Sequence, residues 1–273
     1  MTVTITASDV NKLRTTTGAG MIDCKKALTE ANGDFEAAID LLRKKGQKVA
    51  ANRSDRDAKE GKVIAKTNGT HGILISLNCE TDFVAINEDF SKTAEAMATI
   101  ALEKNPADHD ALLALPFEGM TISEKVLEMV GRIGEKIQLS KYEQISAAKV
   151  VAYNHPGNKL ACIVGFNKEV SDEVAKNVAM QVAAMAPVAV DKNDVDTTTL
   201  ERELDIAREQ VRAEGKAEDM VEKIAQGKLN KFYKESTLLN QEFIKDNKKT
   251  IRQYLQDSDK ELTVTGFKRI ILG

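Results

Sequence analysis

The hydrophobic and polar positions at the start of the chain follow three short helical patterns. Within each pattern apolar residues recur at spacings of three and four, and polar breaks containing glycine separate the patterns at 17–20 and 32–34. We predict a three-helix N-terminal domain over residues 1–46 and an exposed linker or solvated helix over 47–62. The predicted core residues are Val10, Leu13, Met21, Cys24, Ala27, Leu28, Ala31, Phe35, Ala38, Ile39 and Leu42.

The remainder of the chain repeats one order of strand and helix patterns twice. β-Branched runs on either side of a turn predict hairpins at 63–78 and 150–167. An alanine-rich helix follows each hairpin, and then a Thr-Ile pair, a short helix and a last strand. The sequence therefore predicts an α+β fold with two related subdomains, each of about three antiparallel strands backed by helices. These subdomains span 63–147, and 148–197 together with 234–273.

The second copy carries an insertion over residues 198–233. Its apolar positions step by four and three, reverse direction at Gly215 and Lys216, and continue on a return helix. This pattern predicts an antiparallel helical hairpin of the coiled-coil type. Two helices of about four turns have little core of their own, so we expect the hairpin to pack on its base or on another molecule.

Composition and charge exclude several classes of protein. The net charge is −3 in 273 residues, without the basic excess typical of phosphate-backbone binding. No apolar run reaches the ~18 residues of a membrane span, and the first six residues do not resemble a secretion signal. Three cysteines lie far apart, as in proteins of reducing compartments. We expect a cytoplasmic protein with no direct nucleic-acid partner and no membrane contact.

The candidate chemistry is sparse. Gly18, Ala19 and Gly20 partly match a phosphate-binding loop, but a third glycine and a preceding strand are lacking. The three histidines match no metal spacing and no catalytic triad. The sequence therefore predicts no catalytic residue, no cofactor and no metal site, and indicates a protein that is not an enzyme.

The residues Asn78–Ala85, which we call the junction segment, lie where an apolar strand gives way to a helix. Taken by themselves, they leave two interpretations open. In the simpler one, Thr81 or Asp82 caps the helix and Phe83 enters the core; in the other, the junction displays Asp82 and Phe83 to a partner. Similarly, Lys25 is most simply a solvated helix residue and His155 a solvated turn residue.

Three long, nearly gapless runs identify a family. Residues 13–14 with 17–34, the junction segment 78–85, and a third stretch made of 227–233 and 238–243 closely resemble the signatures of translation elongation factor Ts, and the resemblance covers essentially the whole chain. The N-terminal helices also resemble the ubiquitin-associated type of domain. The resemblance implies a guanine nucleotide exchange factor that binds elongation factor Tu in its GDP-bound and nucleotide-free forms.

The same resemblance implies roles for individual residues. Thr81, Asp82, Phe83 and Val84 match the segment that dislodges the partner's magnesium ion, which favours the second interpretation of the junction. The implied partner contacts are Leu13, Arg14, Met21, Lys25 and His155.

Two departures from the family pattern restrict these expectations. Many members continue past the last strand into an acidic helix, whereas this sequence stops at Gly273, so that contact is not expected. Gln181 stands where some relatives have histidine and receives no role. The alternative function is a non-catalytic adaptor that acts through the helical hairpin. A homodimer formed through the hairpin or the core is left open.

Overall fold

The computed structural model describes residues 4–273, and Met1–Val3 of the predicted N-terminal domain lie outside the described residues. Helices occur together with small antiparallel sheets, in agreement with the predicted α+β class. The chain divides into two compact units. The first comprises the stretch up to Ile64 with Ile75–Glu143 and Ile271–Gly273, and the second comprises Ala65–Leu74 with Gln144–Ile270.

Three helices form the N-terminal part of the first unit. They are α1 (Ala7–Thr17), α2 (Met21–Glu30) and α3 (Phe35–Asn52). A capping box between Thr6 and Asp9 begins α1, and Gly18 ends it in the left-handed conformation with φ of 67°, which glycine adopts without steric cost. The buried core of the three helices contains Val10, Leu13, Cys24, Ala27, Leu28 and Ala38.

The rest of the first copy follows the predicted order. Its elements are β1 (Glu60–Thr67), β2 (His71–Cys79), α4 (Asp82–Ala85), α5 (Glu88–Lys104), α6 (His109–Leu113), β3 (Pro116–Phe117), β4 (Met120–Thr121), α7 (Ile122–Ile133) and β5 (Gln138–Ser146). The strands pair in the order β1-β2-β5, and β3 with β4 forms a small ribbon that the sequence pattern did not predict. The apolar stripe of α5 is fully buried, as its spacing predicts.

The second copy repeats this arrangement. Its elements are β6 (Lys149–Asn154), β7 (Leu160–Phe166), α8 (Asp172–Met185), α9 (Thr197–Ala213), α10 (Glu218–Ser236), β8 (Glu242–Phe243), β9 (Asp246–Thr250), α11 (Ile251–Ser258) and β10 (Val264–Ile271). The order β6-β7-β10 matches β1-β2-β5. Thr121 with Glu124, and Thr250 with Gln253, form the same capping box at the start of α7 and α11. The repeated order of elements therefore extends to a local capping contact.

Helix α3 is longer than the predicted domain boundary at residue 46 allows, because it continues to Asn52. The stretch between α3 and β1 is correspondingly shorter than the predicted linker 47–62. At that boundary α3 packs against α7, where Gly46 and Gly131 bring the two backbones together. A Cβ atom placed on Gly131 would lie 3.0 Å from the Gly46 Cα, and one on Gly46 would lie 3.0 Å from the Leu127 carbonyl oxygen. A side chain at either position would therefore force the two helix backbones apart by a few tenths of an ångström.

Helices α9 and α10 form the predicted hairpin, with its turn at Gly215. Ala207, Val211, Val221 and Ala225 fill the narrow seam between them. Ion pairs join the exposed edges of the two helices: Arg208 with Glu222, Arg212 with Glu218, and Lys228 with Glu214. Surface pairs of this kind stabilise little individually, so the apolar seam and the base of the hairpin hold the two helices together.

A membrane-spanning helix is not found in the part of the chain that the structure describes, because no helix there combines the necessary length with an apolar composition.

Candidate functional site

The junction segment places Phe83 on the surface. Thr81 caps α4 by accepting a hydrogen bond from the Val84 backbone N–H, at 3.4 Å, and the Phe83 side chain is 79% exposed. Ala85 is buried on the core side of this helical turn, and residues two apart in a helix point to nearly opposite sides. The interpretation of Phe83 as a core residue is therefore wrong, while the interpretation of Thr81 as a helix cap is confirmed.

A small apolar surface surrounds Phe83. Ile86 follows it by three residues, which places the two side chains on one side of the helical turn, and Ile86 is 73% exposed. Asp82 is also exposed beside them. Isolated exposed apolar residues are ordinary, but two bulky ones on a single helical turn next to a carboxylate offer a partner both an apolar anchor and a charge.

The carboxylate of Glu135 holds the start of this segment. One of its oxygens accepts hydrogen bonds from the backbone N–H groups of Glu80, at 3.1 Å, and Thr81, at 3.0 Å. The other oxygen accepts the Thr81 hydroxyl at 2.6 Å. A single side chain between α7 and β5 thus fixes two consecutive residues immediately before α4.

The side chain of Glu80 makes a second set of contacts. Its Oε1 accepts the backbone N–H of Lys136, at 2.6 Å, and its two oxygens share the single nitrogen Arg53 Nη1, at 2.8 and 3.0 Å. The Lys136 backbone N–H and then the Arg53 guanidinium lower the pKa of Glu80 below its ordinary value, against the opposing effect of burial. Arg53 directly follows α3, so Glu80 ties the junction segment to the end of the longest N-terminal helix.

The strand end beneath the junction is equally constrained. Asn78 accepts the hydroxyls of Ser76, at 2.7 Å, and Ser140, at 2.6 Å, and donates to the Ala58 carbonyl at 3.0 Å. The Cys79 thiol is buried and donates to the Thr81 carbonyl at 3.2 Å. Burial raises the pKa of Cys79 to about 12, so this thiol stays protonated and unreactive at neutral pH. The site presents a surface and no nucleophile.

Glu80→Gln is expected to make the folded first unit less stable at pH 7 by about 1–2 kcal/mol, because the ion pair and the charge-assisted hydrogen bonds are lost. An unfolded glutamate protonates near pH 4.3. Since the pKa of Glu80 is lower in the folded state, its stabilisation is complete above that value and disappears as the pH falls through the lowered pKa. Urea unfolding at several pH values should therefore show the difference between wild type and variant shrinking as the pH falls below about 4.3 and vanishing below the lowered pKa of Glu80.

The matched control for this prediction is Glu88→Gln, which removes a carboxylate whose ion pair with Lys92 is mostly exposed. It should leave the unfolding curves nearly unchanged. A stability difference between wild type and Glu80→Gln that stays constant from pH 7 to pH 3 would contradict the assignment.

The N-terminal residues that the resemblance implies fall into two groups. Arg14, Lys25 and Met21 are exposed, and Ile22, which the sequence interpretation missed, is 72% exposed. The prediction of Met21 as a core residue is wrong: it is the first residue of α2 and lies 56% exposed, beyond the packed part of the stripe. Exposed positions 14, 21, 22 and 25 thus lie on α1 and α2, on either side of the turn at Gly18.

Leu13 is different, because its side chain is completely buried in the core of the three helices. Its apolar position in α1, one of the features that carried the resemblance, fits packing. The structure therefore gives the Leu13 side chain no surface to offer a partner, and the expected direct contact is corrected to a structural role.

His155 lies in the exposed turn between β6 and β7 of the second unit. Its backbone N–H donates to the Leu160 carbonyl at 2.9 Å, and its Nδ1 lies 3.0 Å from the Tyr153 hydroxyl. The imidazole is thus held on the surface by a neighbouring side chain. Among residues 4–273 no group of three histidine, cysteine or acidic side chains is arranged to hold a metal ion.

Sequence reasoning missed the residues that hold the junction segment. Glu135 and Lys136 stand between a helix and a strand, and Arg53 lies in a polar stretch that was interpreted as exposed linker or solvated helix. Their contacts with Glu80 and Thr81 span 27 to 56 residues along the chain. No local pattern marks such contacts: the pairing of β2 with β5 brings Glu135 and Lys136 to the junction segment, and Arg53 reaches it from the end of α3.

Comparison with known proteins identifies the family. The family model described as Elongation factor TS matches residues 80–273. Elongation factor Ts of Flavobacterium psychrophilum is 52% identical over 99% of both chains. That of Amoebophilus asiaticus is 53% identical over 98% of this chain and 99% of its own, and that of Chloroherpeton thalassium is 45% identical over 96% and 94%. The chain belongs to the elongation factor Ts family of translation elongation factors.

Proposed function

We propose that this chain is the guanine nucleotide exchange factor of elongation factor Tu. It binds the GDP complex, dislodges the magnesium ion and promotes release of GDP, after which GTP refills the site. The observation that carries this proposal beyond family membership is the exposure of Phe83 on a short helical turn whose preceding residues are held by Glu135. Such a side chain can enter another protein without first leaving its own core.

The proposed step needs only a small displacement in the partner. Magnesium requires nearly ideal octahedral geometry, so a shift of its surroundings by well under an ångström weakens its binding. Phe83 enters an apolar gap between helices of the partner and gains about 1.5–3 kcal/mol from burial. Asp82 perturbs the water shell of the ion and disfavours the phosphate side electrostatically. Neither residue makes or breaks a covalent bond, so the chain acts without chemistry of its own.

One inserted side chain is not sufficient for exchange. Loosening GDP a thousandfold requires about 4 kcal/mol, which exceeds the contribution of Phe83. The difference must come from a broader interface that stabilises the nucleotide-free partner, and the exposed Arg14, Met21, Lys25 and His155 are the residues that we assign to it. The coupling is reciprocal: GDP weakens binding of the exchange factor by the same factor.

The direct test is the dissociation of fluorescent GDP from elongation factor Tu, followed by stopped flow with and without this chain. The proposal requires that the chain accelerate release in a concentration-dependent, saturable manner. Binding to elongation factor Tu without faster release would contradict exchange and favour the adaptor that acts through the helical hairpin.

We also propose the finer organisation of the molecule. Helices α1–α3 act as a ubiquitin-associated-like domain, the two repeated copies act as core subdomains, and α9 with α10 form an inserted module. The relatives are translation factors, which supports a cytoplasmic location. Their similarity over nearly the full chain supports elongation factor Tu as the shared partner.

A further inference from the structure

We propose that Glu135 is a positioning residue for nucleotide exchange, because its carboxylate sets the direction in which Phe83 is presented to the partner. This inference rests on the exchange function proposed above. It concerns a residue outside the segment that the family resemblance marks, and it follows from hydrogen bonds within the first unit.

Helix α4 is too short to be stable by itself. The helix comprises four residues, Asp82–Ala85, and its turn is closed by backbone hydrogen bonds from Ala85 to Thr81, at 3.2 Å, and from Ile86 to Asp82, at 2.9 Å. A single turn fixes several dihedral angles for very few hydrogen bonds and is unstable in isolation. The orientation of Phe83 must therefore be imposed by contacts outside the turn.

The contacts of Glu135 fix the chain just before α4. Its carboxylate receives the backbone N–H groups of both Glu80 and Thr81, and the Thr81 hydroxyl. An ionised carboxylate only accepts hydrogen bonds, so it matches three donors without conflict. Fixing both amides fixes the planes of two successive peptides, and these determine the direction in which the chain enters α4.

The Thr81 hydroxyl makes two hydrogen bonds, one as donor and one as acceptor. It donates to Glu135 at 2.6 Å and accepts the Val84 backbone N–H at 3.4 Å. Because the donated hydrogen is committed to Glu135, the hydroxyl oxygen is oriented to cap the turn. Glu135 thus acts on Phe83 through Thr81, without contacting a partner itself.

The consequence is preorganisation. When a partner binds, a segment that is already fixed loses little conformational freedom. The free energy gained by burying Phe83 is then available to distort the partner. Without the carboxylate, Phe83 would still be exposed and apolar but would sample several directions. Binding through the remaining interface would persist, while the distortion that releases GDP would be less frequent.

The test compares Glu135→Gln with wild type. The amide keeps the size of the side chain but replaces one acceptor oxygen by a donor, which cannot receive the present hydrogen bonds. We expect the maximal rate of GDP release at saturating exchange factor to fall about 10- to 100-fold. The concentration giving half-maximal release should change less than about twofold, since the partner-contacting side chains remain.

Two further variants and one structural readout complete the test. Glu118→Gln, which removes an exposed carboxylate from a lysine that retains Glu128, should behave like wild type. Glu135→Asp keeps the charge on a shorter side chain, so its maximal rate of GDP release should fall less than that of Glu135→Gln. If Glu135→Gln does not fold, Glu135→Asp takes its place in the test. Hydrogen exchange of the Glu80 and Thr81 amides should accelerate in Glu135→Gln, while amides in α5 remain protected.

The outcomes separate this inference from the proposed function. A wild-type maximal rate in folded Glu135→Gln, or a loss confined to the half-maximal concentration, overturns the positioning role and leaves exchange intact. Failure of the wild-type chain to accelerate GDP release overturns the proposed function, and the role of Glu135 in exchange falls with it. Unchanged exchange of the Glu80 and Thr81 amides in Glu135→Gln overturns the positioning role in either case.

Discussion

Phe83→Ala is expected to lower the maximal rate of GDP release from elongation factor Tu by about 10- to 100-fold, which corresponds to the loss of about 1.5–3 kcal/mol of apolar burial. Affinity for the nucleotide-free partner should change much less, because the remaining interface is intact. Stopped-flow release of fluorescent GDP over a range of exchange factor concentrations measures the rate, and calorimetric titration measures the affinity. The variant should fold normally, since the ring is 79% exposed.

The matched control is Ile206→Ala, which removes another exposed apolar side chain, 40% accessible, from the helical hairpin. Under the exchange proposal it leaves the release rate near the wild-type value. If Phe83→Ala released GDP at the full rate while Ile206→Ala lost partner binding, the adaptor alternative would replace the exchange proposal.

The double variant Met21→Ala with Ile22→Ala is expected to show the opposite pattern. These residues are 56% and 72% exposed at the start of α2, and truncating two apolar anchors should weaken association about 10- to 100-fold. At saturating concentrations the release rate should recover to near the wild-type value, because the junction segment is untouched. Calorimetric titration against nucleotide-free elongation factor Tu gives the affinity.

Leu13→Ala provides the contrast, because it changes a neighbouring residue of the core. Its side chain is fully buried, and the substitution should cost about 2–5 kcal/mol of folding stability. Binding of Leu13→Ala to elongation factor Tu should weaken only to the extent that the N-terminal helices unfold. A lower midpoint of thermal unfolding would show that loss of stability. Should Met21→Ala with Ile22→Ala lose stability without losing affinity, the α2 surface would not be a partner contact.

Local patterns were sufficient to predict most elements. The stripe Phe90, Ala94, Met97, Ala98 and Ala101 has the spacing of one helix face, and all five side chains are buried in α5. The turns at Gly69 and Gly157 and the Thr-Ile helix starts at 121 and 250 were equally local. These features depend on residues within a few positions of one another, so the sequence carries them directly.

The errors arise where tertiary packing decides. Met21 has the spacing of a core residue but stands at a helix end, where no neighbouring helix covers it. The stretch 47–62 fits either an exposed linker or a solvated helix, and the local pattern cannot choose between them. In the structure α3 continues to Asn52, and Gly46 and Gly131 let α3 and α7 approach closely. When two helices pack through backbone contact at glycines, the sequence shows no pattern of apolar side chains that would predict the interface.

The sequence predicted the exposed segment of the candidate site, but not the residues that hold this segment in place. The resemblance singled out Thr81–Val84, and helical geometry explains why Phe83 faces away from the buried Ala85. Glu135, Arg53 and Lys136 are charged residues in ordinary polar surroundings, and their importance comes from long-range hydrogen bonds. Such partners can be found only when the tertiary arrangement of α3, β2 and β5 is known.

The glycine crossing of α3 and α7 has a mechanical consequence for the N-terminal helices. The two helices cross at Gly46, and Arg53 lies seven residues beyond it, about 10 Å along the helix axis. A tilt of about 6° around this crossing would move the end of the helix by about 1 Å, which is enough to break the hydrogen bonds from Arg53 to Glu80. Movement of the N-terminal helices about this crossing would therefore change the Arg53–Glu80 contact that helps to hold the junction segment.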